Sequence, residues 1–236
     1  MEFSKTESSA DGATFVSSHG RHDDDRFFMD NAFVVILIEN VFFRLPVNKL
    51  QKVSEFFEKE IACPLTSESP GFCRENPMDL TKDASAAEFR ILLNLIFAND
   101  VDNRNPEYSC GDKEWLVVLK LASTWNIPSY RDMAIKYLRP SLIDGRQLVE
   151  LGRKYSVTNF VRDGYKELIR RVTTIEATDV NLLGYETIIK LFQLREADLR
   201  RRHAHNYVGP EMDIERAFAE ELGGLTLRET ILSSKR

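Results

Sequence analysis

The sequence predicts an α+β fold: a small β-sheet, built from an N-terminal hairpin and a further strand, is covered by helices and followed by an α-helical C-terminal region. The observations behind this prediction concern the order of the elements. Apolar runs typical of strands lie before residue 81, and apolar residues at helical spacing continue from residue 112 nearly to the end. Strands that precede helices, rather than alternating with them, are typical of α+β folds and argue against a Rossmann-type sheet.

Two apolar runs predict the hairpin. Residues 33–38 form a short, continuous run rich in β-branched side chains, which is typical of a strand buried on both faces. Two polar residues separate it from a second run at 41–45, which Pro46 closes, and this arrangement predicts a β-hairpin. Met78 and Leu80 are spaced to face the same side of a further short strand.

The first helices carry local signals of their own. Residues 48–59 have one apolar face, and we expect a kink near Ser54. Ser85 and Glu88 form the capping-box pattern that begins a helix. The apolar face of that helix consists of Phe89, Leu92, Leu93 and Ile96.

The C-terminal part of the chain is predicted to be helical. Further helices are expected to begin near Asp112, Ser129, Asp144, Thr158, Thr187 and Met212. Ser129 should cap its helix and Pro140 should end it, while Gly223 and Gly224 should end the last helix. The helix from Thr187 to Arg202 is expected to carry the apolar residues Ile188, Leu191, Phe192 and Leu199 and to end in three arginines.

Composition excludes several classes of protein. The chain has 236 residues, 43% of them hydrophobic, and a formal net charge of -5. Mild acidity argues against a general nucleic-acid binder, which would carry a basic face. The longest apolar run is far shorter than the ~20 residues of a membrane span, so no membrane segment is expected. The odd number of cysteines, three, favours reduced thiols in an intracellular protein, cytoplasmic, nuclear or both.

Motifs for bond-making chemistry are missing from the sequence. It contains no Gly-rich phosphate loop, no nucleophile elbow and no H-E-x-x-H pair. His203 and His205 with Glu211, or His19 with His22, have metal-binding residue types, but histidines in polar segments are more often solvated. We therefore predict no catalytic, cofactor-binding or metal site, and a protein that is not an enzyme.

The ordered set of motifs between Phe28 and Leu138 resembles the BTB/POZ domain. The order hairpin, two short helices, strand, long helix and helical pair matches that family. The matching residues include Phe33–Ile38, Phe43–Pro46, Ser54–Phe57, Asn76–Leu80, Ala86–Phe89 and Leu92–Phe97. A closer similarity is to BTB proteins of basidiomycete fungi, and it rests on Ser85–Phe89, Glu114–Trp125 and Gly152–Tyr155.

Composition, spacing and this resemblance together predict a domain organisation. Residues 1–26 would be a disordered acidic leader, 27–140 a BTB/POZ-like domain and 141–202 a C-terminal helical extension. Residues 203–236 would be a tail with a short helix.

The resemblance also implies a function, that of a protein–protein interaction module. It would act as a scaffold or adaptor through homodimerisation and partner recruitment. A substrate adaptor that binds a cullin scaffold is the alternative within the family. The chain departs from the family pattern at Phe33 and Pro46, where an Asp and a His are usual. Arg44 would match the Arg of the family's charged pocket, and only Cys73-Arg74-Glu75 comes near the cullin-binding element.

Five residues near the hairpin form the candidate protein interface: Phe42, Phe43, Arg44, Phe56 and Phe57. Either these rings all belong to the core, or some of them form a self-association surface, as the resemblance implies. A competing hypothesis places a ligand or active site in the helical half. There Glu150, Arg153, Lys154 and Tyr155 surround one helix end, and either line a pocket or form a solvated face.

Overall fold

The hairpin forms where the sequence predicts it. In this computed structural model, β1 (Phe33–Ile38) pairs antiparallel with β2 (Val41–Pro46). The turn between them is made possible by Glu39, which takes a φ of 55°. A short strand, β3 (Met78–Asp79), adds to the other side of β1 in parallel, so the strand order is β2-β1-β3. The structure describes residues 33–61, 65–98, 110–142, 144–201 and 209–233.

Alternation along β2 separates the two faces of the sheet. Phe42 and Arg44 are exposed, whereas Val41, Phe43 and Leu45 are partly buried and pack against the core. The central strand β1 is almost fully buried, with Val34, Ile36 and Ile38 inaccessible to solvent. Side chains two apart share a face, so one face of the sheet covers the core and the other is partly open.

Ser54 divides the first helical segment, which confirms the expected kink. It separates α1 (Val47–Val53) from α2 (Glu55–Glu60) and adopts an extended backbone. Its hydroxyl donates to the Trp125 carbonyl at 2.6 Å and accepts from the Phe57 N–H at 3.2 Å. The same hydroxyl thus caps α2 and ties it to a distant part of the chain.

The predicted capping box begins α3 (Ala86–Ala98). The Ser85 N–H donates to the Glu88 carboxylate at 2.9 Å, and the Glu88 N–H donates to the Ser85 hydroxyl at 3.2 Å. The remaining helices are α4 (Asp112–Thr124), α5 (Pro128–Leu138), α6 (Gly145–Tyr155), α7 (Thr158–Arg170), α8 (Ala177–Leu183), α9 (Tyr185–Arg201), α10 (Glu211–Ala217) and α11 (Ala219–Ser233).

Three features of these helices correct the sequence-based expectations. Ser129 does not cap α5, because the helix already begins at Pro128, a residue favoured at the first helical position. The short helix α8 was not predicted. Gly223 and Gly224 do not end a helix but lie inside α11. Burial of Leu222 and Leu225 offsets the cost of about 1 kcal/mol for each glycine.

Two hydrophobic clusters organise the described residues. The first core lies between the sheet and α1–α5 and reaches Phe160, and the second core lies among α6–α11. Helices α6 and α7 contribute to both cores and pack closely, since a Cβ at Gly164 would lie 2.7 Å from the Gly145 carbonyl oxygen. By their backbone contacts, residues Ala32–Arg236 form one compact unit.

The C-terminal tail is more structured than expected. Instead of one short helix, it carries α10 and α11, whose Ile214, Phe218, Leu222 and Leu225 belong to the second core. The predicted leader, residues 1–26, lies outside the described residues.

Candidate protein interaction surfaces

The outer side of the hairpin presents two aromatic rings to solvent. Phe33 is 41% exposed and Phe42 is 45% exposed. Their strands are held in register by the antiparallel ladder, in which Val35 pairs with Arg44 and Leu37 with Phe42. We call the set of Phe33, Phe42, Arg44 and Arg74 the outer sheet face.

Each exposed ring on this face lies against an arginine. The Arg44 guanidinium carbon is 4.9 Å from the centroid of the Phe33 ring, and that of Arg74 is 5.6 Å from the centroid of the Phe42 ring. Such cation–π contacts contribute about 0.5–1 kcal/mol at exposed sites. They hold the flat guanidinium groups against the sheet, so that less side-chain entropy is lost when a partner binds.

Phe57 does not belong to a surface, and this corrects the candidate interface. It is fully buried, 5.5 Å from the centroid of Trp125. Phe56 stacks on the same indole at 6.4 Å, and Phe43 packs edge-on against Phe89 at 5.0 Å. Three of the five candidate residues therefore serve mainly the first core.

Phe42 and Arg44 are the candidate interface residues that remain exposed. The period of two along β2 was the signal that could have separated them from Phe43, because neighbouring residues in a strand point to opposite faces.

The two departures from the BTB/POZ pattern lie opposite each other. Phe33 pairs with Pro46 across the hairpin. Arg44, which the resemblance assigns to a charged pocket, lies over the Phe33 ring. The Phe33 ring thus lies beside Arg44 at the position where the BTB/POZ pattern has an aspartate.

The environment of Cys110 does not activate its thiol. Burial, together with the nearby Glu114 carboxylate, raises the pKa of the Cys110 thiol to about 11. The Cys73 thiol donates a hydrogen bond that lowers the pKa of the Glu75 carboxyl. Because the thiolate is the nucleophile, Cys110 is a weak one at neutral pH.

Helix α9 presents a second apolar surface. The sequence alone did not distinguish its exposed apolar residues from the buried ones. Its Ile188 and Leu191 face the second core. Next to this buried face runs a line of exposed apolar residues, which we call the α9 stripe. The members of the α9 stripe are Tyr185 at 73% exposure, Ile189 at 41%, Phe192 at 44% and Leu199 at 47%. Of the four apolar residues that the sequence places on this helix, Ile188 and Leu191 are therefore buried, whereas Phe192 and Leu199 are exposed.

A cleft of about 520 Å³ lies in the helical half, beside Arg153, Lys190, Phe218 and Glu221. Glu150, Lys154 and Tyr155 do not line it, and the last two border a separate cleft of about 370 Å³. The structure therefore does not place Glu150, Arg153, Lys154 and Tyr155 around one pocket.

The Arg153 side chain is occupied by bonds within the protein. Its guanidinium donates to Glu221 at 2.7 Å and to the Leu183 carbonyl, the Tyr165 hydroxyl and the Thr187 hydroxyl at 3.0 Å each. The Tyr165 hydroxyl donates to Glu221 at 2.6 Å, and burial raises the pKa of Tyr165. This network joins α6, α7, α9 and α11 and leaves little donor capacity for a ligand.

The described residues contain no group of three or more His, Cys, Asp or Glu side chains placed to hold a metal ion. His19, His22, His203 and His205 lie outside those residues. Within the same part of the chain, no helix is long and apolar enough to cross a membrane.

Comparison with known protein-family models and with curated proteins finds no match to this chain. The BTB/POZ resemblance therefore stays a prediction.

Proposed function

We propose that this chain is a protein–protein interaction module that acts as a scaffold or adaptor through self-association and partner recruitment. The proposal rests on the outer sheet face, where two half-exposed phenylalanine rings each lie against an arginine. Aromatic residues and arginine are the types most enriched at binding hot spots. We assign this face to self-association, as the BTB/POZ resemblance implies.

The physical basis is burial of the aromatic surface against a second copy. Fully burying a phenylalanine side chain is worth about 1.5–3 kcal/mol, and a half-exposed ring gains a part of that. The rings sit on paired strands rather than on a loop, so their positions are fixed before binding. Pre-organisation of this kind reduces the cost of association.

A ligand-binding function for the helical half has less support. The cleft beside Arg153 is the feature that favours it, but Arg153 is paired with Glu221 and Lys190 with Glu186. Those bonds connect the helices that border the cleft, so the cleft is explained by how these helices pack.

The test is sedimentation velocity of the full chain over a range of concentrations. The variant Phe33→Thr/Phe42→Thr removes both rings while keeping residues that favour strands. We expect it to weaken self-association at least about tenfold, which corresponds to about 1.4 kcal/mol.

Val172→Thr is the matched control, because Val172 is 98% exposed in the loop after α7. It should associate like the wild type, and circular dichroism should show the same fold for all three proteins. Equal association of the double variant and the wild type would contradict the assignment of this face.

A further inference from the structure

We propose that the α9 stripe is a second self-association surface, on which two copies of the chain pack their α9 helices antiparallel. This goes beyond the outer sheet face, because the stripe belongs to a helix of the second core. With two different self-association surfaces, the chain would assemble beyond dimers.

The spacing of the stripe is that of a helix-pairing seam. Tyr185, Ile189, Phe192, Glu196 and Leu199 follow one another at intervals of four, three, four and three residues. This is the repeat that keeps one face of a helix against a partner helix. The seam extends over about 21 Å at ~1.5 Å per residue. All its members are exposed.

Charged residues on one flank of the stripe favour a second copy of α9 as the partner and favour its antiparallel orientation. Glu186 lies near the start of α9 and Arg200 near its end, with Gln193 midway between them. In an antiparallel pair centred at Gln193, Glu186 of each copy lies opposite Arg200 of the other. In a parallel pair, the flank that carries Glu186 and Arg200 would face the other flank of the partner helix, so these charges would not meet. The charge pattern is therefore complementary to itself in the antiparallel direction.

The apolar positions fit the same arrangement. When the pair is centred at Gln193, Ile189 of one copy lies within two residues, about 3 Å along the axis, of the level of Leu199 of the other, and each Phe192 lies one residue from the two-fold axis. Glu186 and Arg200 pair within their own helix with Lys190 at 2.9 Å and Glu196 at 3.3 Å. Exposed pairs at this spacing contribute little to stability, so they can be shared with a second copy at little cost.

The interface is expected to be weak. Four apolar residues on each copy are far fewer than the ~20–30 residues per side of a standard stable interface. Glu196 also interrupts the apolar seam. The association should therefore depend on concentration and should strengthen at low ionic strength, where exposed charge pairs are less screened.

The first experiment isolates the stripe by sedimentation velocity of the full chain carrying Phe33→Thr/Phe42→Thr. In this background we expect a concentration-dependent dimer, and adding Ile189→Glu/Phe192→Glu should reduce it to a monomer. Glutamate at exposed helical positions favours the helix, so the fold should persist. Leu227→Glu, at a 65% exposed position on α11, is the control and should leave the dimer intact.

The outcomes separate the two surfaces. A background protein that stays monomeric at all concentrations would overturn the α9 proposal and leave the outer sheet face untouched. A wild type that goes no further than a dimer, and becomes monomeric with the α9 substitutions alone, would instead overturn the assignment of the outer sheet face.

The second experiment tests the direction with charge changes. Glu186→Arg places like charges opposite each other at both ends of the pair, and Arg200→Glu does the same with the other sign. In the same background, each single variant should associate several-fold more weakly than its parent at low ionic strength. An equimolar mixture of the two should associate as the parent does, because every contact is again of opposite charge. A mixture that stays as weak as the single variants would overturn the antiparallel arrangement.

Discussion

The two cores of this molecule are held together in different ways. In the first core, the fully buried Trp125 is surrounded by the rings of Phe56, Phe57 and Phe89, at centroid distances of 5.5 to 6.4 Å. In the second core, ion pairs connect the helices. They include Arg153–Glu221, Arg162–Glu215, Arg171–Asp179, Lys166–Glu211 and Arg201–Asp213.

The difference follows from the elements available to each core. A sheet and its covering helices enclose a broad apolar space that large rings can fill. Helices packed on helices meet along narrow seams, and long charged side chains bridge their rims. Apolar packing stabilises both cores, and in the second core partly exposed ion pairs at the rims add contacts between particular helices.

One buried arginine couples the two cores. Arg131 on α5 is fully buried and donates to the carbonyls of Tyr155 and Ser156 at 3.0 and 2.9 Å. Burial lowers its pKa, and the nearby Glu229 carboxylate, 3.9 Å away on α11, acts in the opposite sense. Glu229 also accepts from the Thr158 N–H at 3.1 Å. The last helix thus contributes to the electrostatic balance of the first core.

Trp125→Ala should have the largest effect on stability. Removing the indole leaves a cavity among three rings, and such truncations cost about 3–5 kcal/mol. Guanidinium unfolding followed by circular dichroism measures the loss. Val172→Ala, at an exposed loop position, should change the free energy of unfolding by less than about 0.5 kcal/mol. A loss below about 1 kcal/mol for Trp125→Ala would mean that the aromatic cluster does not dominate the first core.

Glu229→Gln should have an intermediate effect. It removes the carboxylate that faces Arg131 and weakens the bond from the Thr158 N–H. Because Glu229 is partly exposed, we expect a loss of about 1–3 kcal/mol rather than the full cost of an unpaired buried charge. Thermal unfolding measures it, with Glu220→Gln on the exposed side of α11 as the control. Equal stability of the two variants would show that the cores are not coupled through this carboxylate.

Loss of the Lys166–Glu211 pair should have the smallest effect. The hydrogen bond from Lys166 lowers the pKa of the Glu211 carboxyl from its ordinary value of 4.5. A carboxyl with a lowered pKa in the folded state stabilises the protein above its unfolded pKa, and this contribution is lost as the pH falls through the folded pKa.

Lys166→Met should therefore reduce stability by a few tenths of a kcal/mol at pH 7, because the pair is exposed. The deficit should shrink as the pH falls below about 4. Unfolding curves of the variant and the wild type at pH 7 and below about pH 4 measure the difference in stability. A deficit that does not depend on pH would exclude this pair as its source.

Local sequence signals predicted most of the secondary structure. The β-branched run of β1, the kink at Ser54 and the capping box at Ser85 all depend on neighbours within a few residues, and all are confirmed. The same holds for the buried stripe of α4, which includes Trp115 and Leu119.

Burial determined by distant contacts was harder to predict. Phe57 is buried by Trp125, which lies far along the chain, so adjacent phenylalanines looked equivalent in sequence. The buried apolar residues of α9 could not be told apart from those of the α9 stripe, because only packing of the second core identifies which residues are buried. The glycines of α11 illustrate the same limit, since tertiary burial outweighs local propensity.

The most direct measurement of the proposed function is the mass of the unsubstituted 236-residue chain as a function of concentration, by sedimentation equilibrium at low and moderate ionic strength. We predict that the average mass rises above that of a monomer, and that it reaches beyond a dimer at the highest concentrations and the lower salt. A mass that stays at the monomer value of 27.2 kDa across the whole range would contradict self-association through either surface.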